Sequence, residues 1–209
     1  MDRNPVIEMM GRRLRLAVIG GGPGSFIGAM HRTAATLDDR FEVVAGAISS
    51  DPDRSRAAGV VIGLAGDRSY GDGLELLKAE ASRDDGADAV AIMTPNDTHH
   101  LYSLAALDLG FDVICDKPIT NTLDEALDVV HKVRQTGLIF CLTHNYTGYP
   151  MVRQARAMVN DGQLGEIRLV QVEYVQGGKA AENDPDPFDG LPWRYDPVRG
   201  GPSLVTVSR

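Results

Sequence analysis

Two short stretches carry residue types able to do chemistry. The first runs Gly20, Gly21, Gly22, Pro23, Gly24, Ser25, Phe26, Ile27, Gly28, where an apolar run breaks into glycines and then turns helix-like. A helix start offers free amide hydrogens and a partial positive charge, which together attract phosphate. Glycines let the backbone turn sharply and let a pyrophosphate approach closely. Counted from Gly20, the plain G-x-G-x-x-G spacing fails, because Ser25 takes the third place; counted from Gly22, the set Gly22, Gly24 and Gly28 fits G-x-G-x-x-x-G. The bland alternative is a glycine-rich turn that binds nothing. The position of the bend, at the first of several strand-to-helix turns, weighs against it.

The second stretch is Asp116-Lys117-Pro118. Pro118 biases Lys117 toward an extended backbone. An ammonium aimed along a sheet edge can donate to a substrate hydroxyl or carbonyl and stabilise developing negative charge. A solvated loop lysine is the ordinary alternative.

Both stretches need a scaffold that brings them to one edge. Continuous apolar runs at 14–20, 41–49, 87–94, 111–116 and 138–143 read as strands covered on both faces. Helical patterns lie between them. In 98–110, Leu101, Leu104, Ala105 and Asp108 fall at helical spacing, and Gly110 gives a stop. In 120–137, Thr122 and Glu125 form a capping box, and Leu123, Ala126, Leu127 and Val130 make one apolar face. Strand–helix repetition predicts an α/β fold, a doubly wound parallel sheet of Rossmann type. The loops after the third and fourth runs, Thr94-Pro95-Asn96 with His99 and Asp116-Lys117-Pro118, then lie at carboxyl ends of strands, where such sheets bind ligands.

After Pro150 the pattern changes. A helix starting at that proline is followed by an alternating run at 166–176, which predicts a long strand of a mostly antiparallel sheet. The expected organisation is a loose tail over 1–13, a dinucleotide-binding domain over 14–147, and the incomplete start of an α/β domain over 148–209.

The end of the second strand reads the ribose. An acidic residue about 20 positions past the glycines would bond the 2′-hydroxyl of NAD. Ser49 stands there, followed by Ser50, and Arg54 or Arg56 can supply positive charge. Asp51 and Asp53 come later in the turn. The expected cofactor is therefore NAD(P), with a lean to NADP. No metal is called for.

With 29 acidic and 21 basic residues, the net charge of −8 speaks against a nucleic-acid surface. No apolar run reaches the roughly 18–20 residues of a membrane span. The first residues lack the apolar core of a secretory signal. Cys115 and Cys141, each closing an apolar run, read as two buried thiols. A cytoplasmic protein is expected.

The glycine bend, the TPNDTHH stretch, the DKP stretch and the THNYTGYP stretch, in this order, resemble the Gfo/Idh/MocA family of NAD(P)-dependent oxidoreductases over about residues 14–200. The resemblance implies hydride transfer between the cofactor and a sugar, inositol or related polyol. It implies Lys117 as catalytic residue and the loop with Thr94, Pro95, Asn96 and His99 along the cofactor, joined by Asp116, Pro118 and Asn145. It also implies a homo-oligomer for the full-length form. Departures are visible. Asp116 stands for the usual glutamate, and Thr147 for a frequent arginine. Family members usually continue past Trp193-Arg194 and Gly200-Gly201 into an Asp-x-x-x-His stretch carrying the proton acceptor, whereas no Asp or His follows Gly201 here. The expectation is a truncated chain with impaired turnover, or a dinucleotide-binding module without catalysis. His99 and His144 are the remaining histidines near strand ends. An unrelated Rossmann dehydratase or epimerase would be supported by a Tyr-x-x-x-Lys pair, which the sequence lacks.

Overall fold

The computed structural model describes residues 4–173, 193 and 196–200. Five parallel strands form one sheet: β1 (Leu14–Gly20), β2 (Phe41–Ala47), β3 (Ala89–Met93), β4 (Asp112–Cys115) and β5 (Phe140–Leu142). Their order is β2-β1-β3-β4-β5. The chain leaves β1 toward one edge and restarts at β3 on its other side, so the strand order reverses between β1 and β3. Ligands of open α/β sheets bind outside the carboxyl ends at such a reversal.

The described helices are α1 (Pro5–Met10), α2 (Phe26–Leu37), α3 (Pro52–Val61), α4 (Gly73–Ala81), α5 (His99–Asp108), α6 (Leu123–Thr136), α7 (Pro150–Asn160) and α8 (Pro197–Gly200); α2 and α3 cover one face of the sheet and α4, α5 and α6 the other. Strand residues alternate between two cores. Ala17, Ile19, Val90, Ile92, Val113 and Cys115 pack with Leu76, Leu77, Leu107 and Val129 from α4, α5 and α6. Leu16, Val18, Ala89, Ala91 and Met93 pack on the other face, with Ile27, Ala35 and Ala58 from α2 and α3 against them. Burial on both faces is why these strands read as unbroken apolar runs.

The local signals at the helix ends are physical. Thr122 and Glu125 form the capping box of α6, and Gly137 closes that helix in the left-handed region at φ 71°. Pro150 opens α7 in its first turn. Two helix faces differ from expectation. On α5 the buried residues are His99, Ser103, Ala106 and Leu107, while Leu101 and Asp108 face solvent. On α6 Val129 is buried and Val133 packs on the core, while Leu123 and Leu127 are exposed. Apolar spacing alone leaves a helix's rotation open by one position when small or polar residues suit the interface.

Three further expectations are corrected. The tail is not loose throughout: Asn4 caps α1, Pro5 opens it and Gly11 closes it at φ 71°. Arg12 then grips Asp88 with two hydrogen bonds of 2.6 and 2.8 Å, which fixes the entry to β1. Cys115 is buried, but Cys141 is exposed, because β5 is the outermost strand of the sheet. Residues 166–173 form no strand, since no described strand pairs with them and an unpaired strand leaves its backbone groups unsatisfied. Residues 174–176 of that expected strand lie outside the described residues.

The described chain forms two compact units, one running to Thr143 and joined by Trp193 and 196–200, the other beginning at His144. The second unit contains a short 3-10 turn, Asn145–Gly148, and α7. Tyr146 and Tyr149 meet edge to face there, with ring centroids 5.4 Å apart.

One polar cluster is sealed inside the first unit. The Glu80 carboxylate, fully buried, is gripped by the Arg68 guanidinium and accepts from the Tyr70 hydroxyl at 2.9 Å and the Ala87 amide at 3.0 Å. Burial, followed by the bond to Glu80, pushes the Tyr70 phenol up to about 12. Arg68→Leu strands the carboxylate without its charge partner. The expected loss is about 3–5 kcal/mol in urea unfolding; a change under about 1 kcal/mol would show that the other donors suffice.

Candidate functional site

The loops that carry the chemistry-bearing residues leave neighbouring strands at nearly one level. Gly20 of β1 pairs with Met93 of β3, and Ile92 pairs with Cys115 of β4. The glycine bend, the Thr94 loop and the Asp116 loop therefore start within one register step of each other. At about 4.8 Å per strand, they span roughly 10 Å along the carboxyl edge.

The bend depends on three glycines at positive φ and on two close approaches. Gly20 and Gly21 adopt φ of 81° and 68°, and Gly24 adopts 85°, a region that side chains disfavour. A Cβ on Gly28 would lie 1.9 Å from the Gly21 carbonyl oxygen, so α2 packs directly onto the bend. A Cβ on Gly22 would lie 2.6 Å from the Ile48 carbonyl oxygen at the end of β2. Ser25 caps α2 by accepting from the Gly28 amide at 3.3 Å. The amides of Phe26 and Ile27, in the first turn, have no acceptor among the described residues. Pro23, Gly24 and Phe26 are exposed. The cradle fits a diphosphate: a backbone without side chains in its way, and helix-start amides aimed at it.

At the end of β2, Asp51 is consumed as the N-cap of α3, accepting from the Arg54 amide at 2.8 Å. Ser49 Oγ accepts from the Asp51 amide at 3.2 Å and keeps its own hydrogen to donate. Ser50 is exposed. Arg56 lies 3.8 Å from both Asp53 and Glu75, whereas the Arg54 guanidinium has no ion pair among the described residues.

The Thr94 loop differs from its expected role. His99 is completely buried, with Nδ1 2.7 Å from the Pro118 carbonyl and Nε2 3.0 Å from the Thr94 carbonyl. It does not present a free group to a ligand; it ties the loop after β3 to the loop after β4. Asn96 is also buried, and its amide donates to the Gly200 carbonyl at 2.6 Å. Arg199 bonds Asp97 at 3.1 Å, and Asn121 donates to the Val198 carbonyl at 2.9 Å, so α8 is fastened to the same edge. Thr94 and Pro95 remain half-buried at the edge.

Asp116 likewise turns inward. Its carboxylate accepts from His31 Nε2 at 3.1 Å and from the Thr143 hydroxyl at 2.7 Å. Burial pushes this carboxylate up, but the bonds from His31 and Thr143 outweigh it and hold it below the ordinary range. Lys117 follows, exposed, and the Lys117–Pro118 peptide is cis. Asn145 opens the 3-10 turn of the second unit, where the carbonyl of the preceding His144 accepts from the Thr147 hydroxyl at 2.7 Å.

His31, Arg32 and Thr143 are absent from the sequence-based set. His31 lies one turn after Gly28 on α2, so the close-packed glycine already marks its side of the helix. Arg32 donates to the Gly21 carbonyl at 2.6 Å and braces the bend. Nothing in the sequence ties Thr143 to Asp116 before the strand order is known.

Residues 14–156 match the family described as oxidoreductase family, NAD-binding Rossmann fold, and the chain belongs to this Gfo/Idh/MocA family. It is 36% identical over 199 residues to the uncharacterized oxidoreductase YfiI of Bacillus subtilis, covering 95% of this chain and 51% of the relative. An inositol dehydrogenase homolog from Azotobacter vinelandii complexed with NAD+ superposes with a TM-score of 0.84 at 41% identity, covering 93% of this chain and 50% of that one. The same homolog complexed with NADH and myo-inositol gives 0.72 at 43% identity, covering 75% and 41%. The chain thus spans about half the length of these relatives.

The Gly28 contact gives a direct test of the cradle. Gly28→Ala is expected to destabilise by about 1–3 kcal/mol through overpacking and to weaken NAD(P) binding. Gly24→Ala meets no atom within 4 Å, so only its strained φ should count, at about 1–2 kcal/mol. Thermal unfolding with cofactor titration checks both; unchanged affinity in Gly28→Ala would mean the bend is not the cradle.

Proposed function

We propose that this chain carries the cofactor half of an NAD(P)-dependent oxidoreductase acting on the CH–OH group of an inositol or related polyol. The observation that carries the reading is the exposed Lys117 at the carboxyl end of β4, two strands from the glycine cradle at the end of β1. The relatives complexed with NAD+, NADH and myo-inositol support it. Residues 14–147 are read as the dinucleotide-binding domain, and 148–209 as the start of the substrate domain.

The chain's own residues divide the work. Gly22, Gly24 and the amides of Phe26 and Ile27 would hold the diphosphate. Ser49, Ser50 and Arg54 would meet the adenosine ribose. Bound nicotinamide supplies the hydride acceptor. Lys117 would donate a hydrogen bond to the substrate oxygen and lower the cost of negative charge there. Thr94 and Pro95 wall the crevice on the β3 side.

Cofactor titration with NAD+ and NADP+, followed by a polyol screen starting with myo-inositol and read as NAD(P)H absorbance, tests the reading. Lys117→Ala is expected to lower kcat at least about 100-fold while cofactor affinity stays within about two-fold. An unchanged rate would remove Lys117 from the reaction. Cofactor binding without turnover on any polyol would favour a dinucleotide-binding module.

The turn after β2 supports a lean to NADP. The serines do not repel a 2′-phosphate, Asp51 is spent as a cap, and Arg54 is left to pair with it. Arg54→Ala is expected to weaken NADP+ binding about 10-fold and to leave NAD+ binding unchanged. Equal losses for both cofactors would place Arg54 away from the 2′-position.

A further inference from the structure

We propose that His31 and His99 are positioning residues that anchor the backbone on both sides of Lys117. The proposal rests on the catalytic reading of Lys117 given above. Lys117 has an exposed side chain, so its ammonium is placed by its neighbours rather than by contacts of its own. On one side, the Asp116 carboxylate is held by His31 of α2 at 3.1 Å and by Thr143 beyond β5 at 2.7 Å. The Asp116 amide also donates to the Ile92 carbonyl of β3 at 3.0 Å. On the other side, the Pro118 carbonyl accepts from His99 Nδ1 at 2.7 Å, while His99 Nε2 reaches the Thr94 carbonyl at 3.0 Å.

A carboxylate oxygen only accepts, so His31 donates to Asp116 through Nε2; His99 faces a carbonyl from each ring nitrogen and donates through the one that carries its hydrogen. His31 belongs to the helix that carries the phosphate cradle, and His99 begins the helix that follows the β3 loop. The two histidines therefore reference Lys117 to both the cradle and the neighbouring loop. Asp116 is one methylene shorter than glutamate, and His31 reaches across from α2 to meet it. A displacement of about 1 Å at a reacting group lowers rates about 100-fold, so small losses of anchorage are visible in turnover.

The test uses the full chain with NAD(P)+ and myo-inositol, and three variants: His31→Leu, His31→Gln and His99→Leu. His31→Leu is expected to lower kcat about 10- to 100-fold with KM and cofactor affinity within about two-fold. His31→Gln keeps a donor and is expected to restore most of kcat. His99→Leu removes the buried ring and both of its contacts; if it fails to fold, the His31 pair decides alone, since His31 is partly exposed. Amide hydrogen exchange of the segment 115–120 is read in parallel. It is expected to quicken about 10-fold in the leucine variants and to stay at the wild-type rate in His31→Gln. Segments from β1 and β3 should not change. Where wild-type turnover is absent, exchange still decides: quickening confined to 115–120 supports the anchorage and faults only the assigned reaction, and wild-type exchange in His31→Leu overturns the anchorage. Wild-type kcat in His31→Leu overturns the positioning role, as does an equal kcat loss in His31→Gln.

Discussion

Among the described glycines, Gly28 leaves the least room for a side chain: a Cβ there would fall 1.9 Å from the Gly21 carbonyl oxygen, so α2 sits directly against the bend it grows from. Everything at the carboxyl edge is referenced to that contact. It directs the first amides of α2 toward the bend rather than past it. It also brings the next turn of the helix, with His31 and Arg32, over the ends of β1 and β4. Arg32 bonds back to the Gly21 carbonyl, and His31 bonds to Asp116. One missing side chain thus bears on both the glycine bend and the lysine loop. The register of β1 with β3, and of β3 with β4, carries the same reference across the sheet.

Much of the scaffold was legible because it obeys short-range rules. Runs buried on both faces read as strands, Thr122 with Glu125 as a capping box and Gly110 as a stop; the ladder and the capping box follow. The alternation of strand and helix also predicts a parallel sheet, but not its order β2-β1-β3-β4-β5. What could not be read depends on third dimensions of packing. The faces of α5 and α6 are only partly legible: Leu104 and Ala105 pack on the core, but Ser103 and Ala106 are buried beside them, and Leu123 and Leu127 of α6 are exposed. The helix over 5–10 was within reach, since Asn4, Pro5 and Gly11 are its ordinary punctuation, but six residues give no periodicity to read. Residues 166–173 alternate as a strand does, yet alternation describes only a face. It does not supply a partner.

The candidate site divides along the same line. The glycines were legible because their role is local. His99, Asn96 and Asp116 were assigned toward a ligand because they sit in the right loops, yet each side chain turns into the protein. Their partners, Pro118, Gly200 and His31, are 19, 104 and 85 residues away in sequence. No local pattern encodes such pairs. They are the price of a crevice made of loops: several backbone carbonyls at the edge need donors, and polar side chains from adjacent loops provide them.

That division also explains why the Lys117 side chain is left exposed at the end of β4. Asp116 before it and Pro118 after it are bound to three other elements between them, whereas Lys117 itself is exposed. An ammonium buried among those carbonyls would be desolvated and spent on internal bonds. Kept in solvent but carried on a backbone bound on both sides, it is not spent on internal bonds, and its reach is restricted to the end of β4. Rigidity is supplied by the neighbours and reactivity by the residue they leave free, which is the arrangement expected where a polar group must act on a ligand rather than hold the fold.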